Sequence, residues 1–293
     1  MTTPLVILGC GYIGSRLARA ALAQGRQVRV CARSTGRLAP LGALGAEIKY
    51  LDVAIPKQLG PALQSMRGGT LVYSIPPIAS LPPREAVRKA LQAAAGAGLE
   101  RFVHFSSSGL YGDSPDDDTW IDDDTPVDLA DQPMQGVLTD EDAVDTSTFD
   151  RPLTTILRLA PVYGPGRGVR ARLRKGDYRL LDEGQHAISR IHVDDVVGAV
   201  FAAEERAPHR SRYLLADDQP TTQLEYATWL CERMGLPLPP TRPALAPGKA
   251  RVAHRNRRIR NARIKAELGL VLRYPTFREG EAAIEAEEAA ASA

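Results

Sequence analysis

The apolar run Pro4-Leu5-Val6-Ile7-Leu8 passes into Gly9-Cys10-Gly11-Tyr12-Ile13-Gly14 and then into an amphipathic stretch from Ser15 to Gln24. A strand, a glycine turn and a helix in that order constrain the chain more than any other feature. Gly9 admits the tight turn, Gly11 lets the backbone come close to a pyrophosphate, and Gly14 lets the helix pack on its strand. The helix N-terminus then faces the negative charge with its unsatisfied N–H groups. The segment reads as a dinucleotide-binding turn.

About twenty residues further on, a carboxylate would hold the adenosine ribose hydroxyls of NAD. None is there. The strand Gln27-Val28-Arg29-Val30-Cys31 runs into Ala32-Arg33-Ser34, so a guanidinium and a hydroxyl stand at that point. A guanidinium binds a 2′-phosphate bidentately, which makes NADP(H) the preferred cofactor and leaves NAD(H) as the alternative. Arg16 and Arg37 are placed to assist Arg33 and Ser34.

Strand patterns at Leu5–Leu8, Val28–Cys31, Glu47–Leu51, Thr70–Ser74, Arg101–Phe105 and Thr154–Leu159 alternate with helical patterns at Tyr12–Gln24, Lys57–Ser65 and Pro83–Ala97. That alternation predicts an α/β fold, a doubly wound Rossmann sheet of about seven parallel strands with helices on both faces. Residues 1–165, with 190–205 returning, are expected to form the dinucleotide-binding domain. Residues 166–189 and 206–293 are expected to form a small C-terminal substrate lobe, its prolines from Pro208 to Pro275 breaking the chain into short pieces. The Glu/Ala-rich tail Arg278–Ala293 reads as a solvated helix.

Further motifs follow in a fixed order: Leu51-Asp52-Val53, Arg101-Phe-Val-His-Phe-Ser106-Ser107-Ser108-Gly-Leu-Tyr111-Gly112, Arg158-Leu-Ala-Pro161-Val-Tyr163-Gly164-Pro165-Gly166, and Arg190-Ile-His192-Val-Asp194-Asp195. With Ile259-Arg-Asn261-Ala-Arg263 near the end, the series resembles the extended short-chain dehydrogenase/reductases, the NAD-dependent epimerase/dehydratase family. The resemblance implies that Asp52 and Val53 meet the adenine. It further implies that Tyr12, Ile13, Ser74, Ile75, Pro76, Ser106 and Pro161 line the rest of the cofactor groove. It also implies a small-molecule substrate, of sugar-like or phosphorylated kind, bound between domain and lobe. Members are often dimers through the helices after strands four and five, so a homodimer is open here too.

One departure limits that carry-over. Redox members use a Tyr-x-x-x-Lys pair, in which the lysine lowers the tyrosine pKa for proton transfer. No tyrosine of this chain has lysine four residues later, and between Gly112 and Pro161 there is neither residue. The helix that should carry the pair ends in Asp140-Glu141-Asp142-Ala143-Val144. In this the chain resembles an atypical bacterial subgroup, the YeeZ-like proteins. Ser107 matches the position whose hydroxyl polarises a substrate carbonyl, and Tyr111, Tyr163 and His192 are the candidates for a second proton donor, with Ser107, Tyr111 and His192 the expected catalytic set. Asp194 reads as the N-cap of the helix from Asp195. Two functions remain: an NADP(H)-dependent oxidoreductase or epimerase with a non-standard acid, and a non-catalytic NADP(H)-binding sensor or regulator.

Charge and composition narrow the partners. The net charge is +2, no basic footprint for nucleic acid, and Cys10, Cys31 and Cys231 form neither a disulfide framework nor a metal site. No run is long enough to span a membrane and no signal segment is visible, so a cytoplasmic location is expected, with no membrane partner. The aspartates from Asp113 to Asp131 fit no calcium loop and read as a solvated flap. The basic run Arg251 to Lys265 reads as a phosphate-binding patch or a solvated face.

Overall fold

The computed structural model describes residues 2–112, 114, 119–128, 134–243 and 256–292. The apolar runs become seven strands: β1 (Leu5–Leu8), β2 (Val28–Ala32), β3 (Glu47–Tyr50), β4 (Thr70–Tyr73), β5 (Arg101–Ser107), β6 (Leu153–Leu159) and β7 (Ser211–Leu215). They form one sheet in the spatial order β3-β2-β1-β4-β5-β6-β7, and every neighbouring pair is parallel. The order reverses between β1 and β4. In an open parallel sheet, ligands bind at the carboxyl ends of the strands flanking such a switch point. Register brings Leu8 beside both Cys31 and Tyr73, so β1, β2 and β4 end together around the glycine turn.

Helices cover both faces: α1 (Tyr12–Ala23), α2 (Glu85–Gly96), α3 (Gln135–Asp145), α4 (Val193–Arg206), α5 (Gln223–Met234), α6 (Ala262–Leu268) and α7 (Phe277–Ser292). The period of two along β1 sorts its side chains between them. Leu5 and Ile7 join Leu17 and Ala21 of α1 and Val200 of α4. Val6 and Leu8 join Leu91 of α2 and Val144 of α3. Both faces being covered, β1 carries no polar residue.

A third cluster lies outside the sheet. Tyr163, Leu173, Tyr178 and Leu180 from the segment after β6 pack with Tyr226 and Leu230 of α5 and with Phe277 and Ile284 of α7. This lobe does not follow the boundary expected at residue 206. Ser211–Leu215 is the seventh strand of the main sheet, and Ile264 and Leu268 of α6 belong to the sheet's own core. The five-residue strand escaped the sequence reading because its apolar residues follow Pro208 and Arg210 in a proline-punctuated stretch.

Local expectations shift as well. The helix read over Lys57–Ser65 is a 3-10 turn at Pro56–Gln58 followed by a short helix, Leu59–Leu63; Ser65 then turns with a φ of +65°. The tail is not merely solvated. Phe277 is fully buried, and Glu281 accepts a hydrogen bond from Arg170 Nε at 2.8 Å and one from the Tyr226 hydroxyl. Both carboxylate oxygens thus find donors in an apolar setting, as a buried charge requires.

The described part of the acidic segment is tied down too. Trp120–Ile121 pairs with Arg258–Ile259, and Asp123 Oδ1 accepts a hydrogen bond from the Leu214 N–H at 2.7 Å. Burial pushes the Asp123 carboxyl up to about 6. Asp113, Asp116, Asp117, Asp118 and Asp131 lie outside the described residues, as do Arg251, His254 and Arg255 of the basic run. Of that run's described members, Lys265 pairs with Asp218 at 2.7 Å and Arg263 with Glu267 at 2.9 Å.

Candidate active site

The glycines of the first turn divide into two kinds. Gly9 has a φ of +84°, and a Cβ there would lie 2.7 Å from Ile75 Cγ1 and 2.9 Å from the Ser74 carbonyl. A Cβ on Gly14 would lie 3.0 Å from Ile7 Cγ2, which is the close packing of α1 on β1. At Gly11, by contrast, a Cβ would meet only the Gly9 carbonyl oxygen, at 4.0 Å. The fold therefore leaves that side of Gly11 open. Gly11 is also the N-cap of α1 and supplies no side-chain acceptor, so the first N–H groups of the helix have no side-chain cap. An open approach beside uncapped N–H donors fits a pyrophosphate. Cys10, Gly11, Tyr12, Ser15 and Arg37 line the depression there.

Arg33 and Ser34 are exposed just after β2, and Arg33 makes no hydrogen bond or ion pair with the described residues. Arg16 is not available to assist it. Its guanidinium is held by Asp194 at 2.6 Å and by Glu287 of α7 at 2.7 Å. Two carboxylates satisfy the fork that a phosphate would need. Asp52 accepts the Ala54 N–H on Oδ1 at 3.0 Å, which fixes the carboxylate in a local turn and leaves Oδ2 for an amine donor. Val53 beside it is buried.

A separate cavity of about 400 Å³ lies over the ends of β4, β5 and β6, bordered on one side by Ile13 of α1. Ile13, Ser74, Ile75, Pro76, Ser106 and Pro161, all expected at the cofactor, line it together with Ser107. So do His104, Val137, Asp140, Arg167 and Arg257, which were not in the expected site. Ser107 Oγ accepts the Gly109 N–H at 3.0 Å. Its own O–H proton remains for a ligand.

Tyr111 and His192 do not line this cavity. Tyr111 is turned into the protein, where its hydroxyl accepts from Arg158 Nη1 at 2.6 Å and its ring lies under the same guanidinium. Burial pushes its phenol above the ordinary value despite Arg158. His192 caps α4 instead: its Nδ1 accepts the Asp194 N–H at 3.2 Å, the role expected of Asp194. Its ring packs edge-on against Tyr274, 4.3 Å between centroids. Burial lowers His192 to about 4, against the pull of Asp194. Tyr163, adjoining a neighbouring cavity, is buried with a hydroxyl that finds no partner among the described residues; burial raises its phenol far above the ordinary range. None of the three borders the cavity that holds Ser107.

Beneath the cavity lies a buried ion pair that the sequence did not reveal. Arg158 of β6 forks onto Glu141 of α3, Nε to Oε1 at 2.9 Å and Nη2 to Oε2 at 2.6 Å. The Ser106 hydroxyl donates to the same Oε1. Side chains from two strands and the helix that should carry the tyrosine and lysine are thus locked together. No motif announces such a pair, because Arg158 sits in an otherwise apolar strand and Glu141 in an acidic run. Among the described residues no cluster of His, Cys, Asp or Glu suits a metal ion, and no helix is long and apolar enough to cross a membrane.

A parallel sheet with this strand order, a glycine turn open at Gly11 and a cavity at the end of β5 define a Rossmann protein built for a nicotinamide dinucleotide. The chain belongs to the NAD(P)H-binding family, whose pattern matches residues 9–204, and is of the extended short-chain dehydrogenase/reductase kind. It is 28% identical to the 3-diazoavenalumate denitrifying reductase of a Streptomyces species, over 94% of this chain and 98% of that one. It is 25% identical to the YeeZ protein of Escherichia coli K12, over 92% and 96% of the two chains. In fold it matches the dTDP-glucose 4,6-dehydratase DesIV of Streptomyces venezuelae, solved with NAD bound, with a TM-score of 0.80 over 96% and 95% of the chains at 20% identity.

Proposed function

We propose that the protein is an NADP(H)-dependent oxidoreductase acting on a small anionic molecule, with the cavity at the end of β5 as its reaction chamber. The observation that carries this reading is the placement of two spaces at the start of α1: a depression lined by Gly11 and Tyr12, and a cavity that begins at the next residue, Ile13, and is bordered by Ser74 and by Ser107 with its free O–H. A reduced nicotinamide bound there supplies a hydride. Ser107 then donates a hydrogen bond to the substrate oxygen and holds it in place, while Ile75, Pro76 and Pro161 exclude water. The Streptomyces relative named as a reductase spans the whole chain and supports a redox role.

The anionic substrate is supported by a second cavity, of about 560 Å³, which shares Pro161, Val162 and Arg167 with the first. Arg172, Arg179, Arg190 and Arg242 also line it. Arg172 is engaged by Asp177 of the same lining and Arg179 by the Gly176 and Tyr178 carbonyls, which leaves Arg167, Arg190 and Arg242 as the guanidinium groups that suit a phosphate or carboxylate.

Fluorescence titration with NADPH and NADH tests the cofactor. Arg33→Ala is expected to weaken NADPH binding about tenfold or more, the scale of one charged hydrogen bond, and to leave NADH unchanged. Equal Kd values for both cofactors in both proteins would overturn the preference for NADP(H). Absence of binding by the wild type would overturn the oxidoreductase.

A further inference from the structure

Three polar groups of the cavity have fixed engagements: Ser106 donates to Glu141, Ser107 accepts from Gly109, and Arg257 donates to the Gly112 carbonyl. Asp140 is different. It lies on α3 three residues after Val137, one helical turn along the face that borders the cavity. Its neighbour Glu141 points about 100° away around the helix, into the ion pair with Arg158. The Asp140 residue is 6% exposed, and its carboxyl makes no hydrogen bond among the described residues. His104 of β5 borders the same space, is 2% exposed, and leaves Nδ1 without a partner among the described residues.

We infer that the Asp140 carboxyl is the proton donor to the substrate oxygen, on the helix where the sequence holds no tyrosine. The inference rests on the oxidoreductase reading. As hydride from the reduced dinucleotide bonds to a carbonyl carbon, the C=O π pair moves onto oxygen and forms an O–H bond with the Asp140 proton. The carboxylate left behind takes a proton back from solvent at the cavity mouth. Ser107 holds the same oxygen by a hydrogen bond and loses no proton.

The surroundings suit that cycle. Burial alone pushes Asp140 up to about 6, so both of its forms are populated near neutral pH, as a general acid requires. Around it stand the Tyr73 phenol of β4, raised by burial and by Asp140 itself, and His104, held neutral by burial, which lowers it to about 4. The Glu141 charge is compensated by Arg158, and Arg167 and Arg257 border the cavity. The Tyr73 phenol does not border the cavity, and His104, kept neutral by burial, carries no imidazolium proton to give.

The test uses the full chain labelled with 13C at the aspartate carboxyls, with Asp140→Asn to assign the resonance. The Asp140 signal is expected to titrate near pH 6 and to shift when NADPH is added. With 4-nitrobenzaldehyde as the probe carbonyl, Asp140→Asn is expected to lose at least about 100-fold in kcat, with Kd for NADPH changed less than about twofold. Asp140→Glu is expected to recover part of the rate with a displaced alkaline limb in the pH profile, the limb on which a proton donor loses its proton. A carboxyl that titrates in the ordinary aspartate range, or is blind to bound NADPH, overturns the inference whether or not the aldehyde is turned over. So does an Asp140→Asn rate within about threefold of wild type. Loss of NADPH binding in the wild type removes the oxidoreductase reading and the inference together; intact binding with an ordinary Asp140 removes the inference alone.

Discussion

Glu141→Ala is expected to destabilise the fold by about 3–5 kcal/mol, the cost of leaving one member of a buried ion pair uncompensated. Glu141 and Arg158 have side chains 1% and 4% exposed, so water cannot take over the guanidinium. The deletion also removes the acceptor of the Ser106 hydroxyl and the anchor of the cation that holds Tyr111. Chemical denaturation followed by circular dichroism reads the loss as a lowered midpoint at unchanged slope. The double substitution Glu141→Leu with Arg158→Leu should restore much of the stability, because it removes both charges of the pair at once; the Ser106 and Tyr111 hydroxyls lose their partners, and Arg212, 3.6 Å from Glu141, keeps Asp145. A loss under about 1 kcal/mol for Glu141→Ala would mean that the pair is hydrated in solution. Because Asp140 is the adjacent residue, the single variant should also disturb the cavity, whereas the double variant should spare it.

The reach of the sequence follows the range of the interactions involved. β1, the glycine turn and α1 are set by neighbours within twenty residues, and their outlines agree with the structure to within about a residue. β7 needs a partner more than fifty residues away, Thr155 to Leu159 of β6, and its short apolar pattern did not reveal it. The glycine positions were legible because each demand is local and steric. The surroundings of Arg16 and Tyr111 were not, since each is held by a partner from another part of the chain, Glu287 and Arg158; His192 instead caps α4 through the Asp194 N–H two residues on. Asp140 and Glu141 show the limit most directly. They are adjacent acids on one helix, and only the helix's rotation against β5 and β6 sends one to the cavity and the other to an arginine.

Gly11→Val is expected to separate binding from folding. Its φ is −95°, outside the left-handed region, and a Cβ would meet nothing nearer than the Gly9 oxygen at 4.0 Å. Thermal unfolding of the variant should therefore fall by less than that of Gly9→Val, since the added Cβ meets no clash. The added isopropyl group projects into the space where the pyrophosphate must approach the first N–H groups of α1. Kd for NADPH should rise at least about 30-fold, equivalent to roughly 2 kcal/mol. Gly9→Val should do the opposite. A Cβ 2.7 Å from Ile75 at a φ of +84° forces β4 away from the turn, so stability should drop by about 2 kcal/mol or more. Titration of NADPH fluorescence and a thermal melt on the two variants distinguish these outcomes. If Gly11→Val binds NADPH as wild type does, the pyrophosphate does not pass over Gly11, and the two spaces at the start of α1 are not the cofactor's path.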